Sequence, residues 1–196
     1  ISDCLVGSEM CIRDSYNYDV VAFYERWLNN FGDEQQPQGH LPGIIPTSGW
    51  GYNWGNGPYW DSAWMILAYY QYAWYDDSES LIRHYDGMSK YMDYLSTKVT
   101  KASMTLELGL PDWSIWRTQT SARVTDTAIY YYDATIMALA AEILNRTEDH
   151  QRFSNLAVQI KNGCKKQFIH LSGESVSVSD NSQTALSCAV YYGMVP

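Results

Sequence analysis

An acid beside an indole occurs twice in this chain, each time in a stretch too rich in glycine or proline for an interior helix. The first is TSGWGYNWGNGPYWDSAW, Thr47 to Trp64, where Trp50, Tyr52, Trp54, Tyr59, Trp60 and Trp64 stand among glycines and asparagines around Asp61. The second is GLPDWSIW, where Asp112 precedes Trp113. Indole faces suit the C–H faces of a pyranose, and Asp, Asn, Gln and His suit its hydroxyl edges. The pattern is that of a concave, mostly apolar site with a few placed polar groups. Gly49, Gly51, Gly55 and Gly57 would let the backbone approach a ligand closely. For any one tryptophan, plugging the end of a helical core is the commoner role. For Trp50, Trp54 and Trp60 together on a polar, glycine-rich loop, ligand contact is the better reading. Asp61 falls in the first turn of a helix, where dipole stabilisation worth about 0.3–1 kcal/mol is its ordinary role. Asp112 follows Pro111, an ordinary turn position. Position alone leaves both acids open between structure and sugar hydroxyls.

Other chemistries find little support. His40, His84, His150 and His170 have no ligand spacing and read as surface or loop residues. Glu25, Glu107 and Glu142 have no evident partner, and Asp126 and Asp133 read as structural, at a helix start and on a helix face. Of four cysteines, Cys4 and Cys11 fall in an aperiodic N-terminal string. Cys164 and Cys188 lie on separate helical patterns as buried thiols. No metal or cofactor is expected, and the redox compartment is not encoded. A net charge of -9 with no basic cluster beyond Lys165-Lys166 argues against nucleic acid. No apolar run reaches the ~18 residues of a membrane span. Asn145-Arg146-Thr147 has the glycosylation pattern, a weak signal. Periplasmic, secreted and cytoplasmic locations are not distinguished.

The elements that must position the acid–indole loops are helices in pairs. With 46% hydrophobic residues over 196 positions, the chain fits one domain or a piece of one. ISDCLVGSEMCIRDS, residues 1–15, has neither helical nor strand period. It resembles a translated sequencing-adapter string of the kind found at the ends of environmental gene fragments, so it is set apart as a non-native tail. A first helix spans about Tyr18 to Phe31. A second starts at Gly57-Pro58, proline being tolerated at the first helical position, and runs to about Tyr75, apolar nearly all round and hence buried on most sides. Asp76 with Glu79 resembles a capping box for a third, in which Leu81, Tyr85, Met88, Met92 and Leu95 repeat at helical spacing. MTLEL suggests a short strand. A fourth helix is expected from a Thr125 N-cap, a fifth from Thr147 through Phe153, Leu156, Ile160, Cys164 and Phe168, and a last through TALSCAVYYG. Short turns at Asp76-Asp77 and Arg146-Thr147 alternate with long loops over 32–57, 98–124 and 170–181. That rhythm predicts antiparallel helix hairpins whose long loops share one rim. Loops above about 12–15 residues are usually functional or disordered, and the Trp, Tyr, Pro and Gly content of these favours order.

Five collinear stretches then carry a resemblance: FYERWLNNFGDEQQPQGHLPGIIPTSGWGYNWGNGPYWDSAW, HYDGMSKYMDYL, GLPDWS, TDTAIYYYDATIMALAAEIL and NSQTALSCAVYYGMVP. Over residues 16–196 the chain resembles bacterial α-L-rhamnosidases of glycoside hydrolase family 78. The resemblance implies an all-α, partial (α/α)6 toroid of the six-hairpin glycosidase kind, about half of the barrel, with long loops on one rim. It implies hydrolysis of terminal α-L-rhamnosyl residues with inversion, by one carboxyl protonating the leaving oxygen and another activating water, without a metal or cofactor. Inverting pairs stand roughly 6.5–9.5 Å apart. The family's general acid lies in an Asp-Glu-Arg-x-Gly-Trp type motif that this sequence lacks, and its general base comes from a later loop. Neither catalytic carboxylate is therefore assigned, and both are expected outside this fragment. What carries over is the sugar-binding wall: Trp50, Trp54, Trp60, Asp61, Asp112 and Trp113. Trp60-Asp61 matches the family's Trp-x-Asp-Ala segment loosely, and Asp112-Trp113 matches its Gly-Asp-Trp segment with Pro111 in place of glycine. The partners implied are a rhamnose-containing glycoside, the remainder of the barrel and flanking β-domains. Such a half-ring alone is expected to be loosely packed or to aggregate, and to be inactive. The alternatives are a non-catalytic carbohydrate-binding module, another six-hairpin glycosidase, and a terpene-cyclase-like α/α toroid. The last needs an aspartate-rich motif, for which only Asp76-Asp77 is available.

Overall fold

The computed structural model describes residues 19–110, 120–173 and 175–195. The tail over residues 1–15 and the Asp112-Trp113 pair lie outside the described residues. The elements in chain order are α1 (Val21–Glu34), the single turn α2 (Pro58–Asp61), α3 (Ala63–Tyr75), α4 (Glu79–Lys98), α5 (Ala122–Ile143), α6 (Thr147–Phe168), β1 (Ile169–Ser172), β2 (Ser175–Val178) and α7 (Gln183–Tyr191).

Three-residue turns join α3 to α4 and α5 to α6, so each pair is an antiparallel hairpin. The long connections meet at the opposite end. Gly57 lies against the backbone of Leu108 and Gly109, the Leu108 N–H donates to Asp126 on α5, and the Thr120 and Ser182 hydroxyls bond each other. All three long loops therefore share one rim. The helices α3, α5 and α7 pack in succession as an inner row, backed by the amphipathic α1, α4 and α6. The inner helix α5 is buried along nearly its whole length, and its alanines 128, 134, 138, 140 and 141 let neighbouring helices approach closely. On α4 the expected stripe is fully buried, as are Phe153, Ile160, Cys164 and Phe168 on α6, with Leu156 half-buried.

Local details differ from the sequence expectations for tertiary reasons. Ser62 interrupts the second helix, but its backbone stays helical, so α2 and α3 are one rod with a joint. Asp76 is no N-cap. It adopts the left-handed conformation that closes α3, and Asp77 instead accepts the Glu79 N–H. The helix α5 begins at Ala122 with Ser121 as its cap, and the Thr125 hydroxyl turns back to the Ala122 carbonyl. Thr147 is the first residue of α6 and Arg146 its N-cap position, without a side-chain cap bond. MTLEL makes only an isolated bridge, Thr100 to Thr105. The 170–181 loop holds the β1–β2 hairpin, paired antiparallel from Ile169–Val178 to Ser172–Ser175. His84 is buried against Trp64, with ring centroids 5.8 Å apart, rather than lying at the surface. Burial lowers its pKa to about 4, so it is a neutral packing residue.

Candidate functional site

The first aromatic loop is held open by its own hydrogen bonds. The Gly51 N–H donates to the Thr47 hydroxyl at 2.9 Å, and the Trp50 N–H to the Thr47 carbonyl at 2.9 Å. Ser48, Gly49, Gly51 and Gly55 all take positive φ, which turns the chain so that indoles project outward. Below, the Tyr52 hydroxyl donates to Glu34 at 2.9 Å and ties the loop to the end of α1. Trp50 and Trp54 face each other at 5.0 Å and remain 59% and 49% exposed. An indole pair left this open contributes little to a core.

Trp60 sits on α2, edge-on to Tyr59 at 5.7 Å and 42% exposed. It borders a cleft of about 200 Å³ lined with Trp27, Phe31, Pro42, Ile45 and Asp61. Asp61 itself is only 3% exposed. Its Oδ2 accepts the Gly57 N–H at 3.1 Å and the Tyr91 hydroxyl at 3.0 Å. Burial holds its carboxyl well above the ordinary aspartate range, with the nearby Asp133 and Asp126 adding in the same sense. Both bonds go to Oδ2. Burial favours the protonated form, whose O–H can donate a hydrogen bond to a hydroxyl.

Beneath Asp61 lie the two acids that read as structural from the sequence. Asp133 accepts the Ser62 hydroxyl at 2.5 Å, which fastens the α2–α3 joint to α5, and burial raises its pKa well above the ordinary value. Asp126 accepts the Leu108 N–H at 2.7 Å, and burial raises it to about 7. Each leaves its Oδ1 buried with no partner among the described residues. Tyr91, the donor to Asp61, is absent from the residues that the sequence singles out. It occupies the same face of α4 as Met88, Met92 and Leu95, so periodicity marks its burial and only its hydroxyl needs a reason.

Trp50 and Trp54 are thus brought together, and Trp60 and Asp61 share a second feature. No ring contact joins the two among the described residues. No group of three or more His, Cys, Asp or Glu side chains suited to a metal occurs among them either.

Paired antiparallel helices in two rows, with decorated loops on one rim and aromatic clefts in it, make an α/α-hairpin array. A family model for the bacterial α-L-rhamnosidase six-hairpin glycosidase domain matches residues 8–196, and the chain belongs to that family. It is 27% identical over 210 residues to an α-L-rhamnosidase of Formosa agariphila, covering 95% of this chain and 21% of that protein. It is 22% identical to one from an Alteromonas species, covering 92% and 20%. Among solved structures it superposes on the α-L-rhamnosidase from Dictyoglumus thermophilum with a TM-score of 0.82 and 27% identity, over 93% of this chain and 21% of that one. The Streptomyces avermitilis α-L-rhamnosidase complexed with L-rhamnose shares the fold at a TM-score of 0.78 and 21% identity, over 90% of this chain and 16% of that one. The chain spans about a fifth of the length of the relatives it matches. The observed helix pairs agree with the partial (α/α)6 toroid expected from the sequence.

Proposed function

We propose that this chain is the sugar-binding part of an inverting α-L-rhamnosidase domain, acting on terminal α-L-rhamnosyl residues of a glycoside. The domain covers residues 16–196, with residues 1–15 standing apart from it. Trp50 and Trp54 offer an open indole face at the rim, Trp60 walls the smaller cleft, and Asp61 donates from its floor. Asp112 and Trp113 complete the wall on the resemblance alone. The general acid and base come from other parts of the barrel. In support, an inverting pair needs one ionised and one protonated carboxyl about the reacting bond. Asp126 and Asp133 are sealed from solvent, and all three acids take structural hydrogen bonds, Asp61 from Gly57 and Tyr91, Asp126 from Leu108 and Asp133 from Ser62. The observation that carries the reading is the exposed Trp50–Trp54 pair on an anchored, glycine-shaped loop.

Two preparations test it: the 196-residue chain, and a chimera in which residues 16–196 replace the matching fifth of the Dictyoglumus enzyme. The chain alone is expected to leave an aryl α-L-rhamnoside intact. The chimera is expected to hydrolyse it, and Trp60→Ala in the chimera to lower kcat/KM by about ten-fold or more, the loss of a buried aromatic contact. Turnover by the chain alone would overturn the placement of both carboxylates elsewhere. A folded but inert chimera would overturn the rhamnoside assignment.

A further inference from the structure

The loop that carries the indoles has a second side. Between it, the end of α4 and the 105–110 segment lies a cleft of about 670 Å³, within the roughly 300–1,000 Å³ of small-molecule sites. It shares no lining residue with the Asp61 cleft. Its lining residues include Gln38, Asn53 and Asn56, which carry side-chain amides, with His40, Tyr94 and Thr97. No carboxylate lines it among the described residues. The Lys98 ammonium at its edge lies over the Tyr94 ring, 5.1 Å from the centroid.

Its walls are fixed by close backbone contacts. A Cβ on Gly39 would lie 2.5 Å from the Lys90 carbonyl, one on Gly43 would lie 2.1 Å from the Trp54 carbonyl, and one on Gly109 would lie 2.8 Å from the Asn56 carbonyl. The loop is thus clamped to α4, to itself and to the 105–110 segment, and only glycine allows each approach. The His40 ring is wedged between Tyr52 and Tyr94, with centroids at 5.5 and 5.4 Å. The Tyr52 hydroxyl is in turn committed to Glu34. Burial first, and then the nearby Lys98 charge, lower the His40 pKa, so its ring is neutral at pH 7 and can both donate and accept. By contrast, the amides of Gln38, Asn53 and Asn56 make no side-chain hydrogen bond among the described residues. Three amides that each donate and accept, beside aromatic rings and without a carboxylate, match a neutral ligand rich in hydroxyls. They match neither a cation nor an apolar one.

We propose that this cleft is a second carbohydrate site, which holds a neutral sugar unit of a longer chain away from the reacting bond. The choice of a saccharide rests on the glycosidase reading, whereas the cleft itself does not. The site would act on polymeric substrates and be silent for a single rhamnoside.

The test uses the chimera with two substrates, an aryl α-L-rhamnoside and a rhamnan polysaccharide. Asn53→Ala with Asn56→Ala strips the cleft, and Thr97→Trp fills it from the helix without touching the loop. Either variant is expected to raise KM for the rhamnan by about ten-fold, as for one or two lost hydrogen bonds, while kcat and KM for the aryl rhamnoside stay unchanged. Unchanged KM for the rhamnan in Thr97→Trp, or equal losses on both substrates, would overturn the proposal. A folded but inert chimera would overturn the rhamnoside assignment and leave the cleft to be tested by binding. Binding of a short rhamnan oligosaccharide to the 196-residue chain, weakened by Thr97→Trp, would then support the second site, and binding that is absent or unaffected would refute it.

Discussion

Replacing Asp126 by asparagine should change how stability depends on pH, and the structure sets the size of the effect. The carboxyl is fully buried, one oxygen accepts the Leu108 N–H, and the other has no partner among the described residues. Burial raises its pKa from the ordinary 3.8 to about 7, with Glu107 adding to the rise against the opposing Leu108 bond. Between those values the folded chain holds a proton that the unfolded chain has lost. The group's contribution is therefore complete below about pH 4, declines as pH rises, and is gone above about pH 7. At about 1.4 kcal/mol per pKa unit, the ceiling on that decline is about 4 kcal/mol, a large share of the roughly 5–15 kcal/mol that holds an ordinary domain. The asparagine keeps an oxygen for the Leu108 N–H and cannot ionise, but it places an amide N–H where the unpartnered oxygen was, at about 1–3 kcal/mol. Asp126→Asn should thus be no more stable than the parent at pH 4 and more stable by about 1–3 kcal/mol at pH 8. Urea unfolding followed by tryptophan fluorescence across that range, at protein concentrations low enough for the midpoint not to depend on them, measures it. Asp133 titrates alike in both proteins and cancels in the difference, whereas Asp61 loses the raising effect of the Asp126 charge, which favours the variant further at high pH. A difference that does not vary with pH, or that favours the parent at pH 8, would refute the reasoning.

Two further substitutions probe the scaffold under the indoles. Tyr91→Phe leaves Asp61 with only the Gly57 N–H, and should cost about 1–3 kcal/mol in urea unfolding. A variant as stable as the parent would mean that the Tyr91–Asp61 bond is not formed in solution. Gly87→Ala sets helix propensity against packing. Alanine gains about 1 kcal/mol in a helix interior, but its Cβ would lie 2.4 Å from Trp64, which is fully buried and already packed on Phe31 and His84. Overpacking of that kind costs about 1–3 kcal/mol, so a lowered urea midpoint is expected and a raised one would show that Trp64 has room to move.

What the sequence makes legible follows from how local each signal is. The α4 stripe depends only on spacing within one helix, and Leu81 to Leu95 are buried as that spacing requires. Position 84 lies on the same face, one helical turn beyond Leu81. Periodicity thus points to a buried His84, and only its polar identity suggests the surface. Gly87 carries a similar signal, since a glycine inside a strong amphipathic pattern usually marks a close approach, here by the Trp64 indole. Helix starts are less legible because Ser121 and Thr125 are both competent caps. The choice between them is made at long range, where the Leu108 N–H takes up the Asp126 carboxylate and leaves the start to Ser121. The indole loop is recognisable as unusual from Trp50, Trp54 and its glycines alone. Its two clefts are not, because they exist only once Gly57 meets the distant Leu108 and Gly39 meets α4. The residue types of a sugar site are thus written locally, whereas its division into an Asp61 cleft and an amide-lined cleft is written in the contacts between loops.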